Sequence, residues 1–312
     1  MSSPAGAERG ETDPTASWLG SYLLLSAIWG TSFLFIKIAD RQLSPLQVVL
    51  ARLALGCAPV LLALLVRRER LPSGWRTWAH LAFLAVITNA LPFSLIAYGE
   101  THISSVLAGL WNATTPLFTL VIALIMLPDE RPTPQRIGGL VLGFAGVVVV
   151  LGPWSGLGGP SLEGSLAVAG ASLCYGLGFT YLRRYVAERS DSGVALVAGQ
   201  LLCGTLVMAV ATLLFTSAPS HLGAGGVLSV CALGVLGTGV AYVLNYSVVR
   251  RAGATIASTV TYLIPLFATA SGVVLLGEGV AWHEPIGALV VLLGVALSQG
   301  RLSLRTRVSE VY

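Results

Sequence analysis

The chain has 312 residues, of which 55% are hydrophobic and only 10% charged, with a net charge of +4 from 18 basic and 14 acidic side chains. A globular domain carries about 25% charged residues, so this composition cannot coat a soluble surface of the chain's size. At about 20 apolar residues per crossing, ten spanning helices take up roughly 200 residues, which excludes a large soluble catalytic, ATP-binding or nucleic-acid-binding domain.

Residues 1–17 are rich in Ser, Gly, Pro and acid, with Glu8, Glu11 and Asp13 where a cleaved signal would need basic residues. They read as a disordered cytoplasmic tail. Apolar runs then predict helices over 19–39, 46–66, 78–98, 104–127 and 135–151, a linker over 153–163, helices over 164–182, 193–215, 224–249, 254–276 and 284–300, and a tail over 302–312. Cys57, Cys174, Cys203 and Cys231 fall singly in apolar runs, without zinc-ligand spacing, and read as buried packing residues.

The basic residues test the helix count, because cytoplasmic loops hold the excess of Lys and Arg. With ten helices, alternate loops and the termini collect fifteen arginines on one side, the opposite loops hold only Arg41, and Lys37 and Arg52 fall within helices. A missed or extra helix would scramble this segregation. Both termini are therefore expected in the cytoplasm, in a multi-pass protein of the cytoplasmic membrane, and 153–163 is expected to be an extracytoplasmic linker.

The two halves, 18–152 and 164–301, also resemble each other. Trp29-Gly30 followed by Phe33 and Lys37 matches Tyr175-Gly176 followed by Phe179 and Arg183, and Pro116-Leu117-Phe118 recurs as Pro265-Leu266-Phe267. From Glu130 to Gly139 and Gly146 the steps are nine and sixteen, and from Glu278 to Gly287 and Gly294 they are nine and sixteen again. Five helices per half is an odd number, so the second half must enter the membrane from the other side. The expected fold is an all-α membrane protein of ten transmembrane helices in two inverted five-helix repeats, an arrangement by which secondary transporters build two gates around one midplane site.

These residues resemble the drug/metabolite transporter superfamily, specifically its EamA-like members with two EamA domains. The similarity covers roughly residues 20 to 300 and is strongest over Arg250 to Pro265 and the closing Leu275-Leu276-Gly277-Glu278. The first repeat carries Trp29-Gly30, Arg52 and Pro116 but reads Leu127-Pro128-Asp129-Glu130 where the family usually has Leu-Gly-Glu. The resemblance implies no bound cofactor and export or exchange of small metabolites, amino acids or drugs.

Motifs for catalysis are missing. A Walker A loop needs a Gly-Lys-Ser/Thr ending, and the single lysine, Lys37, lies in Leu34-Phe35-Ile36-Lys37-Ile38. His283-Glu284 is followed by Pro285-Ile286-Gly287 with no second His in zinc-protease register, and no aspartate lies deep in a span. The chain is expected not to be an enzyme, and no metal site is expected. Charges inside the membrane tend to face a cavity or a partner. Lys37 and Arg52, in the outer half, are candidates for an outer gate with Glu278, pairing with a substrate carboxylate, Glu100 or Glu278; snorkelling of Lys37 and a structural salt bridge of Arg52 are the alternatives. Glu130 is the corresponding candidate at the inner gate.

Aromatic and amide residues at mid-span supply a candidate binding surface for a small amphipathic solute: Trp29, Asn89, Trp111, Asn112, Tyr175, Gln200, Asn245, Tyr246 and Tyr262. Helix packing or interhelical hydrogen bonding is the competing role for each. Gly139 and Gly143 form a Gly-x-x-x-Gly packing motif, and Pro92, Pro116 and Pro265 are candidate kinks and hinges. The expected function is a secondary transporter, with a small-molecule solute and the bilayer as partners, no nucleic acid, and protons as a candidate coupling ion. An amino acid or related metabolite is the first substrate class and drug efflux the second, the lack of a deep carboxylate weighing against a strongly cationic drug. A lipid or polyprenyl-carrier translocator and a non-transporting scaffold or sensor are the readings from other classes. The strong preference for arginine over lysine suggests a bacterial source.

Overall fold

A computed structural model describes residues 16–103, 105–128, 132–155, 161–219, 223–276 and 281–302. Glu130 and Glu278 lie outside the described residues, and of Lys37 only the backbone, within a helix, is described. Among the described residues all regular structure is helical: α1 (Ala16–Ala39), α2 (Pro45–Val66), α3 (Trp75–Glu100), α4 (Ser105–Asn112, resuming as Thr115–Met126), α5 (Pro134–Leu151), α6 (Leu162–Val186), α7 (Gly193–Phe215), α8 (Ala224–Ala252), α9 (Ala254–Ser258, resuming as Val260–Leu276) and α10 (His283–Ser298). Seven helices, α2 to α8 with α4 counted from Ala108, are long and apolar enough to cross a membrane by length and composition; Ala254–Phe267 and His283–Ser298 are shorter apolar helices.

Local chemistry sets the helix ends. Pro45 and Pro134 open α2 and α5 at positions where the missing N–H is not needed. Thr133, Ser161 and Ser192 accept the N–H groups of Arg136, Gly164 and Ala195 as N-caps. Gly152 closes α5 in the left-handed region at φ 52°, and Gly253 separates α8 from α9 at φ 83°. Both conformations favour glycine over any residue with a Cβ.

The packing is symmetric under exchange of α1–α5 with α6–α10. Helix α1 packs on α8 and α9, as α6 packs on α3 and α4, while α2 pairs with α7 and α5 with α10. The α5·α10 seam is made by the glycines whose spacing repeats in the sequence. An added Cβ at Gly146 would stand 2.5 Å from the Val291 nitrogen, and one at Gly287 2.5 Å from the Val150 nitrogen, so the two backbones are in direct contact.

Three helices carry one π-helical turn each: Val86–Ala90 in α3, Leu182–Val186 in α6 and Val235–Val240 in α8. Those in α3 and α8 occupy corresponding places in the two halves. Such single-turn bulges inside α-helices recur at functional sites.

Candidate functional site

The halves line a cavity of about 100 Å³, walled by α1, α2, α3, α4, α6, α7, α8 and α9. Its lining reaches Ile36, Val48 and Ala97, towards the end of the bundle where α1 leads into α2. A polar network lies towards its other end. Tyr246 Oη donates to Gln200 Oε1 at 2.5 Å, and Gln200 Nε2 donates to Asn89 Oδ1 at 2.6 Å and to Thr88 Oγ1 at 2.8 Å. This ties α8, α7 and α3 together.

The π-turns present carbonyls to side chains of the cavity wall. Pro92 offers no N–H to the carbonyl of Thr88 four residues earlier, and Tyr242 Oη donates to that carbonyl at 2.7 Å. In α8, the Gly237 carbonyl accepts Trp29 Nε1 at 3.1 Å. Trp29 and Tyr242 then meet edge to face at 6.3 Å, and Phe93 and Tyr175 do so at 6.5 Å. In α4, Pro116 likewise cannot serve the Asn112 carbonyl, which accepts Thr115 Oγ1 at 2.7 Å.

Arg52 is the one charged side chain in the wall among the described residues, and it is 5% exposed. Its guanidinium stacks over Phe93 at 3.8 Å; Nε donates to Thr238 Oγ1 at 3.2 Å and Nη2 to the Gly237 carbonyl at 3.5 Å. Among the described residues its ionisable neighbours include the phenols of Tyr175 and Tyr242. Among the described residues no carboxylate lies within ion-pair distance of it. A charge at helix centre costs about 2.5–3.5 kcal/mol to insert. Cation–π stacking returns about 0.5–2 kcal/mol and charge-assisted hydrogen bonds about 1.5–3. These terms match in size, so Arg52 can be held here without an acidic partner.

Gln200 stands 148 residues beyond Arg52, the same interval that separates Gly139 from Gly287. Arg52 reaches from α2 to the π-turn of α8, and Gln200 from α7 to the π-turn of α3. The central helix pair thus carries a cation on one half and a neutral amide at the matching place on the other.

Of the residues expected at a binding surface, Trp29, Asn112, Tyr175, Gln200, Asn245 and Tyr246 line the cavity, as does Arg52. Asn245 Oδ1 is buried there without a hydrogen-bond partner. Asn89 lies one layer behind the wall, fully buried under Gln200. Trp111 packs instead against the cluster of Ile103, Ala108 and Val168. Tyr262 is directed to the α5·α10 side, where its ring covers Gly143 and its hydroxyl donates to the Leu140 carbonyl at 2.9 Å. Depth along a helix placed these residues at mid-span, but depth does not say which way they point. Thr88, Phe93 and Tyr242 line the cavity without having been singled out. Helical spacing could have found Tyr242, which precedes Asn245 and Tyr246 by three and four residues and so shares their face. Arg183 lies at the end of α6 and pairs with Glu188 at 3.6 Å. Beyond the end of α1, burial pushes the Asp40 carboxyl up to about 6.

The EamA-like transporter family model matches residues 16–152 and again 162–299. An uncharacterized transporter of Bacillus subtilis, YcxC, is 28% identical over 295 residues, covering 91% of this chain and 93% of its own. The uncharacterized inner membrane transporter YedA of Escherichia coli is 24% identical over 89% of each chain. A solved crystal structure superposes with a TM-score of 0.78 at 23% identity, covering 91% of this chain and 96% of that one, which shows a shared fold.

Proposed function

We propose that this chain, which belongs to the EamA-like transporter family, is a secondary transporter of the cytoplasmic membrane that moves a small amphipathic metabolite by alternating access. It is a multi-pass membrane protein whose described regular structure is helical and whose curated relatives are named as transporters. The observation that carries the reading is the cavity between the two halves. Among the described residues it is lined by one buried cation, amide groups and six aromatic side chains, a composition suited to orienting a small solute rather than to breaking a covalent bond.

In this reading ten helices cross the bilayer in two inverted repeats, both termini face the cytoplasm, and the end of the cavity lined by Ile36, Val48 and Ala97 is the outer one. The network of Tyr246, Gln200 and Asn89 then lies on the inner side of the cavity, where it ties α8, α7 and α3 together. The symmetric packing supports alternating access, because two matched halves can exchange conformations around one central site. Lys37 and Arg52 belong to the outer half and Glu130 to the inner; Glu278 completes the outer gate. Drug efflux is the second reading, and it is weaker for a cation because no described carboxylate lines the cavity.

The test is flux in proteoliposomes loaded in parallel with amino acids and with aromatic cations, with and without a pH gradient. Saturable flux of one class, reduced when Trp29→Ala or Asn112→Ala is introduced into well-folded protein, supports the reading. Absence of flux across a broad solute panel from folded protein refutes it and favours lipid translocation or a non-transport role.

A further inference from the structure

We infer that the cavity recognises an organic monocarboxylate with an apolar, preferably aromatic, body, and prefers it to the corresponding zwitterion or amine. This rests on the transport reading of the same site and names its substrate class. Arg52 is nine-tenths buried in the wall and uses Nε and Nη2 on neutral acceptors, while the face of its guanidinium lies on Phe93. The remaining N–H groups have no acceptor among the described residues, and a planar fork of this kind matches the two oxygens of a carboxylate.

Among the described residues, the acids that could balance a second positive charge lie away from the cavity. Asp40, Glu69, Glu100, Glu163, Glu188, Asp191 and Glu284 are the described carboxylates, and none lines the cavity. A solute bringing an ammonium group would add a cation beside Arg52 in a mostly apolar space, with neutral acceptors such as Asn245 Oδ1 and no described carboxylate to receive it. That acceptor suits a neutral N–H or O–H instead. A divalent inorganic anion such as sulfate or phosphate fits poorly as well, since one guanidinium cannot replace its hydration and the rest of the wall is mostly apolar. The rings of Trp29, Tyr175 and Tyr242 supply the surface for the solute's body.

Four probes of one shape separate the possibilities: 3-phenylpropionate, 3-phenylpropionamide, L-phenylalanine and phenethylammonium, at pH 7. Binding is read by tryptophan fluorescence and thermal shift on the purified full chain, and flux in proteoliposomes. The acid is expected to bind at least about tenfold more tightly than the amide, the loss of one charge-assisted pair, with the amino acid weaker than the acid and the ammonium weakest. Arg52→Gln is expected to erase the difference between acid and amide. Because that variant can misfold, Asn112→Asp provides a second reading with Arg52 intact: a carboxylate in the wall is expected to weaken the acid and strengthen the amine. Equal binding of acid and amide, or stronger binding of phenylalanine or the amine, overturns the inference, and saturable flux of those solutes leaves the transport reading standing. Arg52-dependent binding of the acid without flux of any probe supports the site's chemistry and counts against transport. No binding of any of the four overturns the inference.

Discussion

The glycine seam between α5 and α10 permits a sharp test of the packing. A methyl group at Gly294 would stand 2.6 Å from the Gly143 Cα and 2.8 Å from the Gly139 carbonyl oxygen. Ordinary carbon contacts need about 3.5 Å. The obstructing atoms are backbone on both counts, so no side chain can rotate away and the helices must part by nearly 1 Å. Overpacking costs about 1–3 kcal/mol, and the rigid neighbours put Gly294→Ala at the upper end. Replacing glycine inside a helix returns about 0.5–1 kcal/mol, leaving a net loss of about 2 kcal/mol. Gly138 sits in the same stretch of α5, where an added methyl would meet nothing within 4 Å, so Gly138→Ala carries the helix gain without the clash. Thermal unfolding in detergent, followed by fluorescence-detected size exclusion, should give a Tm at least about 4 °C lower for Gly294→Ala and an unchanged or slightly higher Tm for Gly138→Ala. Equal Tm values for the two variants would refute the backbone contact.

Gln200→Leu strips acceptor and donor from the network at once and leaves Asn89 Oδ1 and Tyr246 Oη without Gln200. A loss of about 2–4 kcal/mol is expected, read as a lowered Tm, and an unchanged Tm would show that water replaces the amide. Tyr262→Phe removes a hydrogen bond to Leu140 away from the cavity, so Tm should fall by an amount worth about 1 kcal/mol while the KM for any transported solute stays unchanged; a shifted KM would place Tyr262 in the binding site. For Asp40 the folded carboxyl is raised to about 6 from an ordinary value near 4, so ionisation penalises the folded state as pH rises through that window. Asp40→Asn should therefore raise Tm at pH 8 and lose its advantage at pH 4; the same gain at both values would rule out titration of this group.

The helices were legible because each apolar run is long and its breaks are chemically distinct. The expected bounds 193–215 match Gly193–Phe215, and 46–66 differs from Pro45–Val66 by one residue. The helix expected over 164–182 runs on to Val186 because it continues through a π-turn rather than ending. π-turns escape a hydropathy reading: one additional residue in a helix that is apolar all round changes neither its composition nor its length in a visible way. The site was legible by half for a related reason. Repeat-matched motifs include residues held for packing, such as Tyr262, along with those facing the cavity, such as Trp29 and Tyr175. Phe93 left no signal in the sequence, since an apolar residue in an apolar run gains meaning only from the guanidinium stacked on it.

The contrast between Arg52 and Gln200 bears on how the two faces of the membrane are served. Two identical halves exchanging conformations would make a valve whose open states are copies of each other, with equal affinity on both sides. Here the matching places hold a guanidinium and an amide. In the proposed cycle, one open state exposes an electrostatic anchor that the other lacks. A single divergence between duplicated halves is then enough to set different working concentrations for loading and release, with no lid or added domain.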